Sequence, residues 1–257
     1  MTSTLFDLTG RLALVTGSSR GLGLALATGL AQHGARVVLH GRDQEALARA
    51  RQQVAAAGDG SDVPTVTFDV TDAAAVREGV GALLAEHGVP DILVNNAGIQ
   101  RRAPFNDFDT GDWDDVVAAN LSSAFYVSQQ VTRGMAERGS GKVVNIGSVQ
   151  SQLARQTIAP YSATKGGLVM LTKGMAADLA RYNIQVNAIS PGYFATEMNR
   201  ALVDDEDFTR WVEQRTPAQR WGRVEELVGT LVYLCSDAAS FVSGQNVFVD
   251  GGMTAVV

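Results

Sequence analysis

The chain is poor in the residues that build metal centres and covalent staples. Among 257 residues it has one cysteine, Cys235, and three histidines, His33, His40 and His87. A lone cysteine excludes an internal disulfide and points to a reducing compartment, and so few His and Cys leave a zinc site without ligands, so no metal is expected. No apolar run approaches the ~18 residues of a membrane helix. The opening Met1–Arg11 has neither the basic start nor the hydrophobic stretch of a secretory signal. Positive charge is scattered and outnumbered, 21 Lys plus Arg against 27 Asp plus Glu, for a net charge of −6. That balance is wrong for a nucleic-acid binder. The expectation is a cytoplasmic protein with no membrane or nucleic-acid partner and a small molecule as its ligand.

What is present is an alternation. Apolar, β-branched runs at Leu12–Thr16, Arg36–His40, Thr65–Asp69, Ile92–Asn95, Lys142–Ile146, Gln185–Ile189 and Asn246–Val249 read as strands covered on both faces. Between them, Ala-rich stretches near 21–33, 43–57, 72–87, 112–138, 160–182 and 224–235 have helical period. Strand and helix in turn predict an α/β single domain, a Rossmann-like doubly wound parallel sheet with helices on both faces. With 46% apolar residues the chain can fill such a core, and Gly58–Asp62 reads as a loop, not a linker. The stretch 191–223 has weaker periodicity and reads equally as a lid over a ligand site or a plain surface excursion.

The first strand runs into Gly17-Ser18-Ser19-Arg20-Gly21-Leu22-Gly23 and then a helix start. One glycine permits a tight turn, another lets backbone approach a diphosphate, a third lets helix pack on strand, and the helix N–H groups face the anion. The second strand ends at Gly41-Arg42-Asp43, with no acid in place for an adenosine ribose. Arg42, with Arg20 beside it, suits a ribose phosphate, which favours NADP(H) over NAD(H), although NAD(H) remains possible. The bland alternative makes Arg42 a solvated residue and Asp43 a helix cap. Asp69 and Val70 close the third strand, where the carboxylate meets an adenine edge or simply forms a turn before a cap at Thr71 or Asp72. Asn95-Asn96-Ala97-Gly98 closes the fourth; its small residues let backbone lie near a ligand and its asparagines tie strand ends together.

Tyr161 and Lys165 stand at i and i+4, one helical face. A phenol titrates near pH ~10 and a neighbouring ammonium lowers it, so the pair forms a general acid/base at neutral pH. Ser148, at the end of the fifth strand, is placed to bond a substrate oxygen. A Tyr and a Lys at this spacing are, alone, a common structural coincidence.

Together, Thr16-Gly17-x3-Gly21-x-Gly23, Asn95-Asn96-Ala97-Gly98, Asn120, Ser148, Tyr161-x3-Lys165 and Pro191-Gly192, in that order, closely resemble the short-chain dehydrogenase/reductase family. The resemblance covers essentially the whole chain. It implies a seven-stranded parallel sheet with a nicotinamide cofactor across its carboxyl edge. It further implies a cofactor half over about 1–147 and a catalytic, substrate-facing half over about 148–257. Tyr161 would exchange the proton, Lys165 would lower its pKa and hold the nicotinamide ribose, and Ser148 would position the substrate oxygen. Asn120 would hold a relay water, and Thr196 would contact the carboxamide, near Pro191 and Gly192.

The substrate is read from Gly98-Ile99-Gln100-Arg101-Arg102, a loop that borders the substrate site in the family. Two arginines there suit a carboxylate, and Gln150 and Arg155 add polar contacts; the alternative is exposed arginines paired with Asp107 and Asp109. The stretches Leu5–Gly10, Gly192–Asn199 and Arg215–Gly222 resemble family members acting on sugar acids. The function expected is NADP(H)-dependent interconversion of a secondary alcohol and a ketone on a sugar acid. Rivals are a reductase of carrier-protein-bound 3-oxoacyl chains, another keto-sugar-acid dehydrogenase, and a catalytically silent cofactor-binding scaffold. The family also implies a homotetramer, with exposed faces around Met170 and Met175 and the apolar tail Met253–Val257 at its interfaces.

Overall fold

A computed structural model describes residues 4–60, 62–196 and 199–257. Seven strands form one parallel sheet: β1 (Leu12–Val15), β2 (Arg36–His40), β3 (Thr65–Val66), β4 (Ile92–Asn95), β5 (Gly141–Ile146), β6 (Ile184–Pro191) and β7 (Asn246–Val249). Their order is β3-β2-β1-β4-β5-β6-β7, so the chain reverses direction between β1 and β4, where β-strand ends open a crevice.

Period-two alternation sorts each strand between two cores. Ala13 and Val15 of β1 face a core with Leu26 and Leu30 of α1 (Gly21–Gln32), Leu47 and Val54 of α2 (Gln44–Ala57) and Leu231 and Leu234 of α9 (Val228–Cys235). Leu12 and Leu14 face the opposite core, with Val76, Val80 and Leu83 of α3 (Ala73–His87), Val127, Val131 and Met135 of α5 (Ser123–Arg138) and Ala176 of α6 (Ala159–Leu179). Because both faces are covered, the strands read as unbroken apolar runs. Asp43 and Asp72 cap α2 and α3, accepting from Ala46 N at 3.0 Å and Ala74 N at 2.7 Å.

Three expected elements differ. The third strand stops at Val66 because the chain beyond it turns to side-chain partners: the Phe68 carbonyl meets His40 Nε2 at 3.0 Å, and Asp69 Oδ1 accepts from Thr71 N at 2.9 Å. The helix expected over 112–138 is two, α4 (Thr110–Val117) and α5, joined by a π-helical turn at Ala118–Ser122 that buries Asn120. The stretch 191–223 contains two short helices, α7 (Arg200–Val203) and α8 (Glu206–Arg215); Glu197 and Met198 lie outside the described residues.

Met170 is 62% exposed, as expected of an outward face, whereas Met175 packs against the intrachain core. No helix among the described residues is long and apolar enough to cross a membrane. Nor do any three His, Cys, Asp or Glu among them gather as metal ligands.

Candidate active site

The glycine turn sits where β1, β2 and β4 end. Gly17 has φ +62°, and a Cβ on it would come within 3.0 Å of Ala97 Cα. A Cβ on Gly23 would meet Gly17 O at 2.3 Å and Asn96 Nδ2 at 2.4 Å, so the third glycine is needed where helix meets turn. Asn96 buckles the turn, donating from Nδ2 to Thr16 O at 2.9 Å and Gly17 O at 3.1 Å, while Thr16 Oγ1 accepts from Ala97 N at 3.1 Å. Arg20, ahead of α1, gives the helix no side-chain cap, and the first N–H groups at Gly21, Leu22 and Gly23 open on the crevice end. An uncapped helix start behind a turn with no room for a Cβ fits a dinucleotide diphosphate.

The adenosine end is less uniform. A Cβ on Gly41 would lie 3.1 Å from Ser19, so strand end and turn are in contact. Arg42 is 73% exposed and donates from Nη1 to Asp69 Oδ2 at 3.4 Å. Asp69 is mostly a turn residue, accepting from Thr71 N and Oγ1; those bonds hold its carboxyl below the usual carboxylate value. The side chains of Val70 and Asn95 do not line the edge. Val70 is buried in the α3 core, and Asn95 donates to Ser128 Oγ and Asn145 Oδ1, both at 2.8 Å. The strand-tying role expected of the asparagines is what Asn95 performs.

On the other side of the crevice, Tyr161 and Lys165 share a face of α6. The Ser148 hydroxyl accepts from Gln150 N at 3.2 Å and acts to lower the Tyr161 phenol. Burial nevertheless pushes the phenol above its ordinary value. Lys165 Nζ donates to Ile146 O at 2.7 Å and lies over the face of the Tyr161 ring, 5.6 Å from its centroid. Lys165 is itself driven down to about 8 by burial.

Asn120 braces the neighbouring loop. Its Oδ1 accepts from Ile99 N at 2.7 Å, and its Nδ2 donates to Ile99 O at 2.9 Å and Thr164 Oγ1 at 3.3 Å. Gly98 lies so close that a Cβ would be 2.8 Å from Asn120 Oδ1. Both ends of the amide are thus engaged by protein, which leaves one lone pair of Oδ1 and the main chain of the π-helical turn to hold a relay water.

The two loop arginines part company. Arg101 bonds Asp112 at 3.2 Å and lies 4.0 Å from Asp115, both on α4; Asp109 instead caps that helix, so the acids expected to pair with Arg101 are replaced by others further along. Arg102 donates to Gln100 Oε1 at 3.1 Å, and burial, together with Arg155, pulls its pKa down. Arg155 stacks its guanidinium over Phe208 of α8, 5.2 Å from the centroid, with a buried Nε that has no partner among the described residues. Burial raises the Tyr193 phenol, and the guanidinium groups of Arg155 and Arg102 beside it act the other way. Buried Gln150 Oε1 likewise has no partner among the described residues.

Tyr193 is the hub of an aromatic cluster, with Phe208, Trp211 and Trp221 at 5.6–5.7 Å, edge-on. Sequence reading missed this cluster because its members come from three separate stretches; two of the chain's three tryptophans, Trp211 and Trp221, falling within 191–223 was the available signal. Pro191 ends β6, Gly192 N donates to Val249 O at 2.9 Å, and Thr196 Oγ1 is taken by Asn199 N at 3.2 Å. A phenol, a hydroxyl and an ammonium on one side, with two guanidinium groups on the other, can exchange a proton with a substrate oxygen while gripping an anion.

A family model described as enoyl-(acyl carrier protein) reductase matches residues 17–254. Gluconate 5-dehydrogenase of Gluconobacter oxydans (strain 621H) is 57% identical over 250 residues, covering 97% of each chain. 5-Keto-D-gluconate 5-reductase of Escherichia coli (strain K12) is 49% identical over 253 residues, 98% of this chain and 99% of that one. A crystal structure of a gluconate 5-dehydrogenase from Burkholderia cenocepacia J2315 in complex with NADP and tartrate aligns at TM-score 0.95 and 53% identity, covering 98% of both chains. Likeness of this depth, running nearly end to end on a sheet of this order, makes the assignment plain: the chain belongs to the short-chain dehydrogenase/reductase family of oxidoreductases.

Proposed function

We propose that the enzyme interconverts D-gluconate and 5-dehydro-D-gluconate with NADP(H), the first half of the chain holding the cofactor and 191–223 covering the substrate. The observation that carries this reading is the pair Arg102 and Arg155. Neither has an acidic partner among the described residues, and both counter the burial that raises the Tyr193 phenol beside them. A substrate with a carboxylate at one end and its reacting carbon further along fits between the guanidinium groups and the phenol. The Burkholderia relative, crystallised with the hydroxy acid tartrate, is in keeping with an acid-binding pocket.

NADP(H) supplies or accepts the hydride. Arg42, 73% exposed at the end of a strand that lacks an acid and held only by Asp69 at 3.4 Å, turns to clamp a ribose phosphate, with Arg20 in the adjoining glycine turn. Tyr161, its phenol held protonated by burial, donates the proton as a ketone is reduced and takes it back in the reverse direction; Ser148 orients the oxygen. Lys165 holds the nicotinamide ribose.

Steady-state kinetics test the substrate. The enzyme is expected to prefer 5-dehydro-D-gluconate over a neutral ketose and a 3-oxoacyl thioester, and NADPH over NADH. Arg155→Met or Arg102→Met is expected to raise the KM for the keto acid by roughly 10–100-fold, the loss of a charge-assisted bond, and to leave that of a neutral ketose nearly unchanged. Equal use of acid and neutral ketones by the parent enzyme would sink the substrate assignment.

The enzyme assembles as a homotetramer through apolar side chains exposed on one chain. Phe125 on α5 and Met170 on α6 are 45% and 62% exposed, and the terminal Val257 is fully so. Light scattering is expected to give four times the mass of one chain; a monomer at micromolar concentration contradicts it.

A further inference from the structure

We infer that His40 is a positioning residue for the cofactor: its imidazole struts the glycine turn against the exit of β3, setting the width of the adenosine site. The inference rests on that site binding NADP(H). Gly17 N donates to His40 Nδ1 at 3.1 Å, and His40 Nε2 meets Phe68 O at 3.0 Å. An N–H on one side and a carbonyl on the other fix the tautomer: Nδ1 is bare, Nε2 carries the proton, and the ring is neutral. The main chain of His40 adds to the same brace, its N–H donating to Ser18 Oγ at 2.9 Å and its carbonyl accepting from Ser18 N at 2.9 Å. The Phe68 ring lies 4.3 Å from the imidazole, leaving it little freedom to turn.

Gly17 begins the diphosphate turn, and Phe68 precedes Asp69, so one side chain spans both walls that a bound adenosine would touch. It contacts no reacting group. Its effect therefore belongs in cofactor affinity and not in the chemical step. Protonation would put an N–H at Nδ1 against the Gly17 N–H and break the strut. The charged groups acting on the ring are Asp69 from the β3 exit and Arg42 from the end of its own strand, which pair with each other; Gly17 and Ser18, the turn residues touching it, are uncharged. Burial keeps the imidazole neutral down to about 4.

Three variants separate the two bonds. Asn places an amide oxygen near the position of Nδ1 and so keeps the Gly17 bond. Gln places an amide N–H near Nε2 and keeps the Phe68 bond, and Phe keeps only the shape. NADPH binding is read by fluorescence titration, beside urea unfolding without cofactor and a KM-against-kcat comparison. His40→Phe is expected to weaken NADPH binding by about 10-fold or more, the consequence of an orphaned buried N–H. kcat at saturating NADPH stays within about twofold, because the chemical groups are untouched. His40→Asn is expected to bind nearly as the parent does and His40→Gln to fall between. If His40→Phe does not fold, the Asn and Gln variants decide. Parent-like NADPH binding by a folded His40→Phe, or Gln binding more tightly than Asn, overturns the inference. Failure of the parent to bind NADPH overturns the cofactor reading instead.

Discussion

Replacing Tyr161 by Phe is expected to cut kcat by about a thousandfold while NADPH affinity changes by no more than about threefold. The substitution deletes one oxygen and leaves the ring. Lys165 keeps its seat over that ring and its bond to Ile146 O, and the Ser148 hydroxyl keeps its bond from Gln150 N. No cavity opens, so stability should hardly move. What disappears is the acidic proton aimed at the substrate oxygen. Because burial raises the phenol, the proton is present throughout the neutral range, and ketone reduction should tolerate rising pH better than it would with a phenol lowered by an ammonium. Turnover and urea unfolding, measured on one preparation, check both halves. A Phe variant with a near-normal rate removes Tyr161 from the chemistry.

Lys165→Met is expected to abolish turnover and yet make the protein more stable at pH 7. The folded ammonium titrates at about 8 rather than 10.5 because burial penalises its charge. Between those values the unfolded chain binds the extra proton, so stability rises with pH from about 8 to 10.5, and below 8 the whole penalty is present. Two and a half pKa units correspond to a penalty on the order of 3 kcal/mol. Met removes it but leaves the Ile146 carbonyl without its donor, which returns about 1 kcal/mol. A net gain of about 2 kcal/mol at pH 7, shrinking to nothing or reversing by pH 10.5, is the expected result in urea titrations. A Met variant less stable than the parent at pH 7 would show that Lys165 is no burden to the fold. Such a trade of stability for function is common where a charge must sit in a dry place.

Local spacing was legible in the sequence because local geometry follows from it. Four residues along a helix must bring Tyr161 and Lys165 to one face, and a glycine turn between a strand and a helix must leave N–H groups free. Direction of interaction was not legible. The i, i+4 spacing brings Lys165 to Tyr161 but does not say that its ammonium bonds the Ile146 carbonyl. Arg101 and Arg102 are adjacent in sequence, yet one meets two acids of α4 and the other joins Arg155. His40 gave no signal at all, since its partners lie 23 and 28 residues away.

The amino-acid sequence by itself determined the order of strands and helices, the parallel sheet, the dinucleotide turn and the phenol–amine pair, all of which depend on periodicity and short spacing. Only the tertiary structure decided which buried groups are left without partners and which charges are spent. Those outcomes depend on what distant segments bring to one place: Phe208 under Arg155, Tyr193 beside Arg102 and Arg155, Phe68 against His40. Desolvation is set by everything that surrounds a group, so the rise at Tyr161 and the fall at Lys165 exist only once the chain has closed around them.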